Sequence, residues 1–346
     1  GTFGSMSTRF FGPPLRAAGA ESRRVLLELA SEHLKTPIAN LTTENGVVFD
    51  KTSKKSRVSY AELAKGKRIE RRLPEAVTIK KPSEFKIMSK PVTRRDGRDK
   101  VTGKAKFAGD IQLPGMLYAK ILRPPAHGAK LIDVDVSEAK QVVYDPIGSK
   151  TRRAEAQIIQ QGDLVAVLHK YPDVAEVALS KIKARFDKPQ SDVDDKSIFD
   201  HLLKLAPEGR VVAKDGNLQE GQTGAKAVFE ESYFNDYVAH APIEPHTAVV
   251  RIEGNKATVW ASTQTPFSVR EEVAEVLGFP PENVRVISPF VGGGFGGKTR
   301  NLQAAEAARL AKLSGKPVQV AWTRKEEFFY DSFRPAAVVK IKSGIT

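Results

Sequence analysis

The stretch from 286 to 315, VISPFVGGGFGGKTRNLQAAEAARLAKLSG, constrains this chain more than any other part of it. Glycines 292–294 and 296–297 surround a lone Phe295. A β-branched run leads into the loop and an alanine-rich helical pattern leads out, closing at Gly315, a residue type suited to a helix C-cap. The spacing predicts strand, glycine loop, helix. Backbone this bare can approach a ligand closely, because any Cβ would hold it away. Gly292–Thr299 also satisfies the phosphate-loop pattern G-x-x-x-x-G-K-[ST], in which amides and a helix N-terminus face phosphate oxygens. A triphosphatase further needs a strand-end Asp for magnesium and a residue that positions water. No following strand ends in an apolar run plus Asp, and the loop carries more glycine than the pattern requires. The loop therefore reads as a cradle for an anion or cofactor, with nucleotide hydrolysis not expected.

A length of 346 residues predicts about two or three domains. The chain has no cysteine, which excludes disulfides, iron–sulfur ligation and thiolate zinc sites on its own residues. No apolar run reaches the ~20 residues of a membrane span, and no basic-then-apolar leader is present. The net charge of +14 is spread over small groups such as KTSKKSR and RRDGRDK, without interleaved aromatics. Solvated surface is the first reading, an acidic partner or anionic cofactor the second, and nucleic acid is not expected.

Along the chain, 1–75 holds a small-residue opening, a helix after Pro14, a strand pair turning at Asn45-Gly46, and a short helix with Ser59 as N-cap and Glu62 three residues on. Residues 76–90 read as an extended linker. Residues 91–200 form a compact α+β unit in which GDLVAVLH is a buried strand and YPDVAEVALSKIKARFD a helix running into a strand. A polar linker, 201–224, precedes a third unit, 225–346, with three alternating strands, the amphipathic helix FSVREEVAEVLGF, the glycine loop and its helix, and VQVAWTRKEEFFYD as strand and turn. The final VVKIKSGIT lies in or just after a strand, which suggests a fragment or one part of a split protein.

Together, YVAHAPIEPHTA, STQTP, GGGFGGK and SFRP resemble the large molybdenum-cofactor subunits of the xanthine dehydrogenase and aldehyde oxidase family. VTGKAKF and PGMLYAKILRPP are similar to the start and core of that family's α/β hammerhead domain. The resemblance implies an α+β fold: a hammerhead domain plus part of the molybdopterin-binding domain. The loop GSMSTRFFG precedes the hammerhead-like unit here, an order similar to the β-subunits of the isoquinoline 1-oxidoreductase branch.

The resemblance also implies roles. Gln264 matches the glutamine that hydrogen-bonds an oxo ligand of molybdenum; from the residues alone, it could equally cap the helix near Phe267. Phe295, with Gly293, Gly294 and Gly296, matches the loop that closes over the metal. Gly4, Ser5, Ser7 and Thr8 match the loop that holds the pterin or its phosphate, although they could be a terminus without such a role. The implied cofactor is molybdopterin with molybdenum, the cytosine dinucleotide being one form the branch allows. No side-chain metal ligand, zinc or iron–sulfur cluster is expected on this chain. Implied partners are the remainder of the molybdenum subunit, a small [2Fe–2S] subunit, and an aldehyde or N-heterocycle as substrate. The compartment stays open, with the branch leaning to the periplasm. Thr299 stands where xanthine-oxidising members carry Glu, which points away from xanthine. The family's general base, a Glu in a C-terminal GxGE segment, has no counterpart here and is expected on another segment or chain. A noncatalytic scaffold that kept the fold and lost the cofactor is the alternative.

Of three other groups, two leave two readings each. His240, Glu244 and His246 have the spacing of metal ligands or shape a proline-marked turn. Arg334 contacts phosphate or pairs with Glu326 or Glu327. Asp96, Arg98 and Asp99 form a solvated turn.

Overall fold

The computed structural model describes residues 1, 4–66, 68–70, 77–144 and 154–345, and these divide into two compact units, Thr2–Arg98 and Asp99–Thr346. The expected boundary at 75/76 and the basic group at 150–153 lie outside the described residues.

In the first unit, a π-helical turn (Ser7–Phe11) runs directly into α1 (Gly12–Leu34), so the opening expected as a loop is already helical there. The helix starts at Gly12, before both prolines, with Pro in its first turn where no amide partner is needed. It packs on an antiparallel sheet of β1 (Leu41–Glu44), β2 (Val47–Asp50) and β3 (Arg57–Ser59), followed by α2 (Tyr60–Ala64). Asn45 and Gly46 both take positive φ in the β1–β2 turn, as a two-residue hairpin with this chemistry requires. Ser59 and Glu62 form the expected reciprocal capping box on α2. Leu27, Ala30, Leu41, Val48, Val58 and Leu63 make the core of this unit. The segment 77–90 is extended apart from a single 3-10 turn, Pro82–Glu84.

The short helix α3 (Gly97–Val101) leads into the second unit; Asp96 just before it pairs with Arg94, so the expected solvated turn is half helix. This unit is built on one seven-stranded sheet. Its strands are β4 (Leu117–Ile121), β8 (Gln157–Gln161), β9 (Leu164–His169), β12 (Thr247–Glu253), β13 (Lys256–Ala261), β14 (Val284–Ile287) and β15 (Val318–Ala321), in the order β14-β13-β12-β15-β4-β9-β8. The parallel β15–β4 pairing joins strands from 225–346 to strands from 91–200. Smaller antiparallel pairs are β5 (Lys130–Asp135) with β10 (Lys183–Asp187), and β6 (Val143–Tyr144) with β7 (Ala154–Glu155). β11 (Ala227–Asn235) pairs with β16 (Ala337–Ile345).

Helices cover the large sheet. α4 (Pro172–Ser180) takes one face of β9 through Ala175, Ala178 and Val167, while Ala166 and Leu168 point into the main core. Both faces of β9 are thus covered, which explains an unbroken apolar run rather than alternation. Each fully buried Val or Leu contributes roughly 1.5–3 kcal/mol. α7 (Pro266–Leu277) and α8 (Leu302–Ser314) pack against each other, with Ala304, Ala307, Ala308 and Ala311 keeping α8 close to its neighbours. Gly315 ends α8 with φ 66°, its amide bonded to Ala311 O at 3.0 Å, as expected.

Two segments differ from the sequence-based expectation. Within the polar stretch, α5 (Ile198–Leu205) and α6 (Leu218–Gly224) are helical. The turn expected after β15 is a helix, α9 (Arg324–Tyr330), opened by a Thr323–Glu326 capping box. Arg123, directly after β4, fastens this region: its guanidinium pairs with Glu306 of α8 and with Glu326 at 2.6 Å, and lies over the Tyr330 ring. Burial would lower the Arg123 pKa, but the two carboxylates outweigh it and hold the group above its ordinary value.

Candidate functional site: a glycine loop on an ionic floor

The glycine loop leaves β14 and enters α8, as its flanking patterns predict. Phe295 sits at its tip, 74% exposed, with φ 57°, the left-handed region a bulky residue rarely adopts. Gly296 follows at φ 115°, a conformation only glycine takes without strain.

The underside of the loop rests on four polar side chains, and the glycines permit that approach. A Cβ on Gly294 would stand 2.4 Å from Gln264 Oε1. One on Gly292 would be 2.5 Å from Glu244 Cβ, and one on Gly297 would be 2.5 Å from Asp331 Oδ1. His240 Nε2 lies 3.2 Å from the Cβ position of Gly296.

Gln264 is held as part of this floor. Its Oε1 accepts the Gly296 amide at 3.0 Å, and its backbone N–H donates to Lys298 O at 2.8 Å. It does not cap the following helix: Thr265 is the N-cap of α7, with no side-chain cap bond. The Gly292 amide bonds Glu244 Oε2 and the Gly297 amide bonds Gly294 O. Between them, the amides of Gly293, Gly294 and Phe295 donate to nothing among the described residues. Three successive amides at a glycine tip make a donor-rich edge that fits an anionic or oxo-bearing group.

Lys298 is the largest departure from expectation, since the phosphate-loop pattern would aim its ammonium at a ligand. Its side chain is fully buried, and Nζ pairs with Glu244 Oε2 at 2.8 Å. One carboxylate oxygen therefore receives both the start of the loop, through Gly292 N at 2.7 Å, and its end, through Lys298. Burial lowers the Lys298 pKa, against the raising pull of Glu244 and Glu327. An ammonium turned inward cannot reach a phosphate at the loop tip, which removes the basis of the triphosphatase pattern.

The trio His240, Glu244 and His246 does not converge on one point. Glu244 serves the loop and Lys298. His240 Nδ1 contacts Asp331 Oδ2 at 3.1 Å, and His246 Nδ1 contacts both oxygens of Glu327, at 2.9 and 3.1 Å. His246, Glu327 and Asp331 instead bring one ligand-type atom each within 4.8 Å of the others. The charge of Lys298 acts on Glu327 there, supplying the cation that a buried carboxylate needs. Burial pushes the Glu327 carboxyl up, but hydrogen bonds from the His246 side chain and backbone, with the charges of His246 and Lys298, leave it below its ordinary value.

Sequence reasoning missed Glu327 and Asp331. The signal was present: Thr323-x-x-Glu326 marks a helix start, and on that helix Glu327 and Asp331 stand i, i+4 on one face. Arg334 pairs with neither Glu326 nor Glu327, which are taken by Arg123 and His246. It exchanges backbone bonds with Val238, and its side chain donates to Asp236 O at 3.2 Å. Gly4, Ser5, Ser7 and Thr8 belong to the first unit, all exposed, with Gly4 and Ser5 at φ 63° and 52° and Ser7 and Thr8 opening the π-helical turn.

Solved structures share the fold. The fold is α+β and matches the large subunits of molybdenum hydroxylases. Quinoline 2-oxidoreductase from Pseudomonas putida superposes with a TM-score of 0.57 at 22% identity, over 73% of this chain and 37% of that one. The aldehyde oxidoreductase from Desulfovibrio desulfuricans gives 0.58 at 18% identity, over 78% and 34%. Residues 204–346 match the molybdopterin cofactor-binding domain. A nicotinate dehydrogenase subunit of Pseudomonas putida is 27% identical over 99% of this chain and 29% of its own length. The beta subunit of isoquinoline 1-oxidoreductase from Brevundimonas diminuta is 26% identical over 99% and 48%. Residues 204–346 belong to the molybdopterin cofactor-binding domain family, the chain as a whole is similar to these dehydrogenase and oxidoreductase subunits, and it spans less than half the length of these curated relatives.

Proposed function

We propose that this chain cradles molybdopterin within the large subunit of a molybdenum hydroxylase. The subunit would oxidise an aldehyde or N-heteroaromatic carbon, R–H + H2O → R–OH + 2 H+ + 2 e−. The observation that carries the reading is the Gln264 side chain, fixed by the Gly296 amide directly beneath Gly294. When bound, the cofactor supplies two-electron redox chemistry at molybdenum, with water as the oxygen source.

The work of the chain's own residues is orientation. The amides of Gly293, Gly294 and Phe295 present donors toward the position of an oxo-bearing group, and Gln264 holds the loop from beneath by accepting the Gly296 amide. Phe295 stands out from the loop as an apolar wall that helps exclude water from that position. Gly4, Ser5, Ser7 and Thr8 hold the pterin or its phosphate through amides and hydroxyls. Residues 91–200 are the hammerhead domain, and the general base comes from another segment or chain. Electrons leave to a small [2Fe–2S] subunit, with a cytosine dinucleotide as one form of the pterin.

Molybdenum content and turnover of Gln264→Ala test this. Wild-type protein is expected to hold about one molybdenum per assembly, as one cradle implies. The variant should keep its fold and lose turnover. Well-folded wild-type protein without molybdenum would identify a scaffold, and a variant with unchanged turnover would remove Gln264 from the site.

A further inference from the structure

The β11–β16 ribbon stands apart from the large sheet. Its strands pair over nine positions, from Ala227↔Ile345 to Asn235↔Ala337, and neither outer edge pairs with another strand among the described residues. An isolated two-stranded ribbon is marginal in water and needs a covered apolar face. Directly opposed residues point to the same side, so the register sorts the side chains. On the side of Val228, Ser232 and Phe234, α5 gives partial cover, Phe199 meeting the Phe234 ring at 5.1 Å. The other side carries Phe229, Tyr233, Val339, Ile341 and Ile345, which are 42–59% exposed. Its one charge is Glu231, whereas the opposite side carries Glu230, Lys340 and Lys342. A contiguous apolar face of this kind marks an interface rather than ordinary surface.

We infer that this face is the docking surface for the remaining part of the molybdenum subunit. The inference deepens the proposed function and rests on it for the identity of the occupant. The relatives are more than twice and more than three times as long as the matched segment, since the chain covers 48% and 29% of them, so in those proteins further polypeptide is available to cover it. The base of the ribbon also leads to the candidate site. There Val238 and Arg334 exchange backbone bonds at 3.2 and 3.0 Å. A few residues beyond the strand ends, in the loop after β11 and at the C-cap of α9, His240 and Asp331 meet beneath Gly296 and Gly297. An occupant seated on Tyr233 and Val339 is therefore carried toward the glycine loop, where the groups this chain lacks have to arrive. A second copy of the chain would bring no such groups.

The experiment places the photo-crosslinker p-benzoylphenylalanine at Tyr233, at Ile345 or, as the opposite-face control, at Lys340, in the complete protein purified from its own host. Thermal unfolding checks each variant's fold, and mass spectrometry identifies the crosslinked peptides. Expected are crosslinks from Tyr233 and Ile345 to polypeptide outside residues 1–346, lost at Lys340. Crosslinks confined to residues 1–346, crosslinks to the same strand of a second copy, or none at all would overturn the assignment. Molybdenum measured on the same samples separates the two readings: outside crosslinks without metal keep the docking surface and sink the cofactor role.

Discussion

Replacing Lys298 with Met isolates the ionic floor from the glycines. In the native chain Glu244 Oε2 holds both Gly292 N at 2.7 Å and Lys298 Nζ at 2.8 Å, while Oε1 has no partner among the described residues. The Glu244 side chain is only 13% exposed, so little solvent screens it. Lys298→Met would leave that carboxylate with one amide donor. Breaking a buried pair from one side costs about 3–5 kcal/mol. For a unit of this size, about 2–4 °C of Tm per kcal/mol gives a fall of about 6–20 °C. Urea and thermal unfolding at neutral pH read the cost directly. The double variant Glu244→Leu/Lys298→Met removes both charges and should recover most of it, apart from about 1 kcal/mol for the Gly292 amide that loses its acceptor. Hydrogen exchange should remain fast at Gly292 in the double variant, because stability returns without the bond that ties the loop. A single variant costing less than about 1 kcal/mol would place the pair with ordinary surface ion pairs. A double variant equal to the sum of the singles would show no coupling. Either result refutes the reasoning.

Phe295→Ala should change stability by no more than about 0.5 kcal/mol, because the ring is exposed, while lowering turnover of the loaded enzyme. Gly297→Ala forces a Cβ to within 2.5 Å of Asp331 Oδ1 and should cost about 1–3 kcal/mol in denaturant unfolding. Glu327 has a folded-state pKa below its ordinary value, so its contribution is complete above the unfolded value and is lost as pH falls through the folded one. Wild-type stability should therefore fall more steeply below about pH 4.3 than that of Glu327→Gln, as pH-dependent urea unfolding would show.

The elements with strong local periodicity were legible from the chain itself: α1, α7, α8, the fully buried β9, and the caps at Ser59 and Gly315. α9 was not, because its seven residues are too short for a period to show and only its capping box announces it. Polar composition hid α6, and the polar sequence around it hid the short apolar-rich α5; the residues of both are all at least partly exposed.

At the site the division is the same. Glycine spacing by itself determined that the backbone from 292 to 297 comes close to something, and the absence of cysteine determined that thiolates on this chain do not hold it. What the loop rests on was decided only in three dimensions. Glu244 and Lys298 are 54 residues apart, and His246 and Glu327 are 81 apart. No local pattern encodes such pairings, because the desolvation that makes a charge seek its partner exists only once the sheet and helices have closed over both. That closure turned Lys298 from the signature of a phosphate site into a buried strut, and left the loop-tip amides of Gly293, Gly294 and Phe295 without a partner among the described residues.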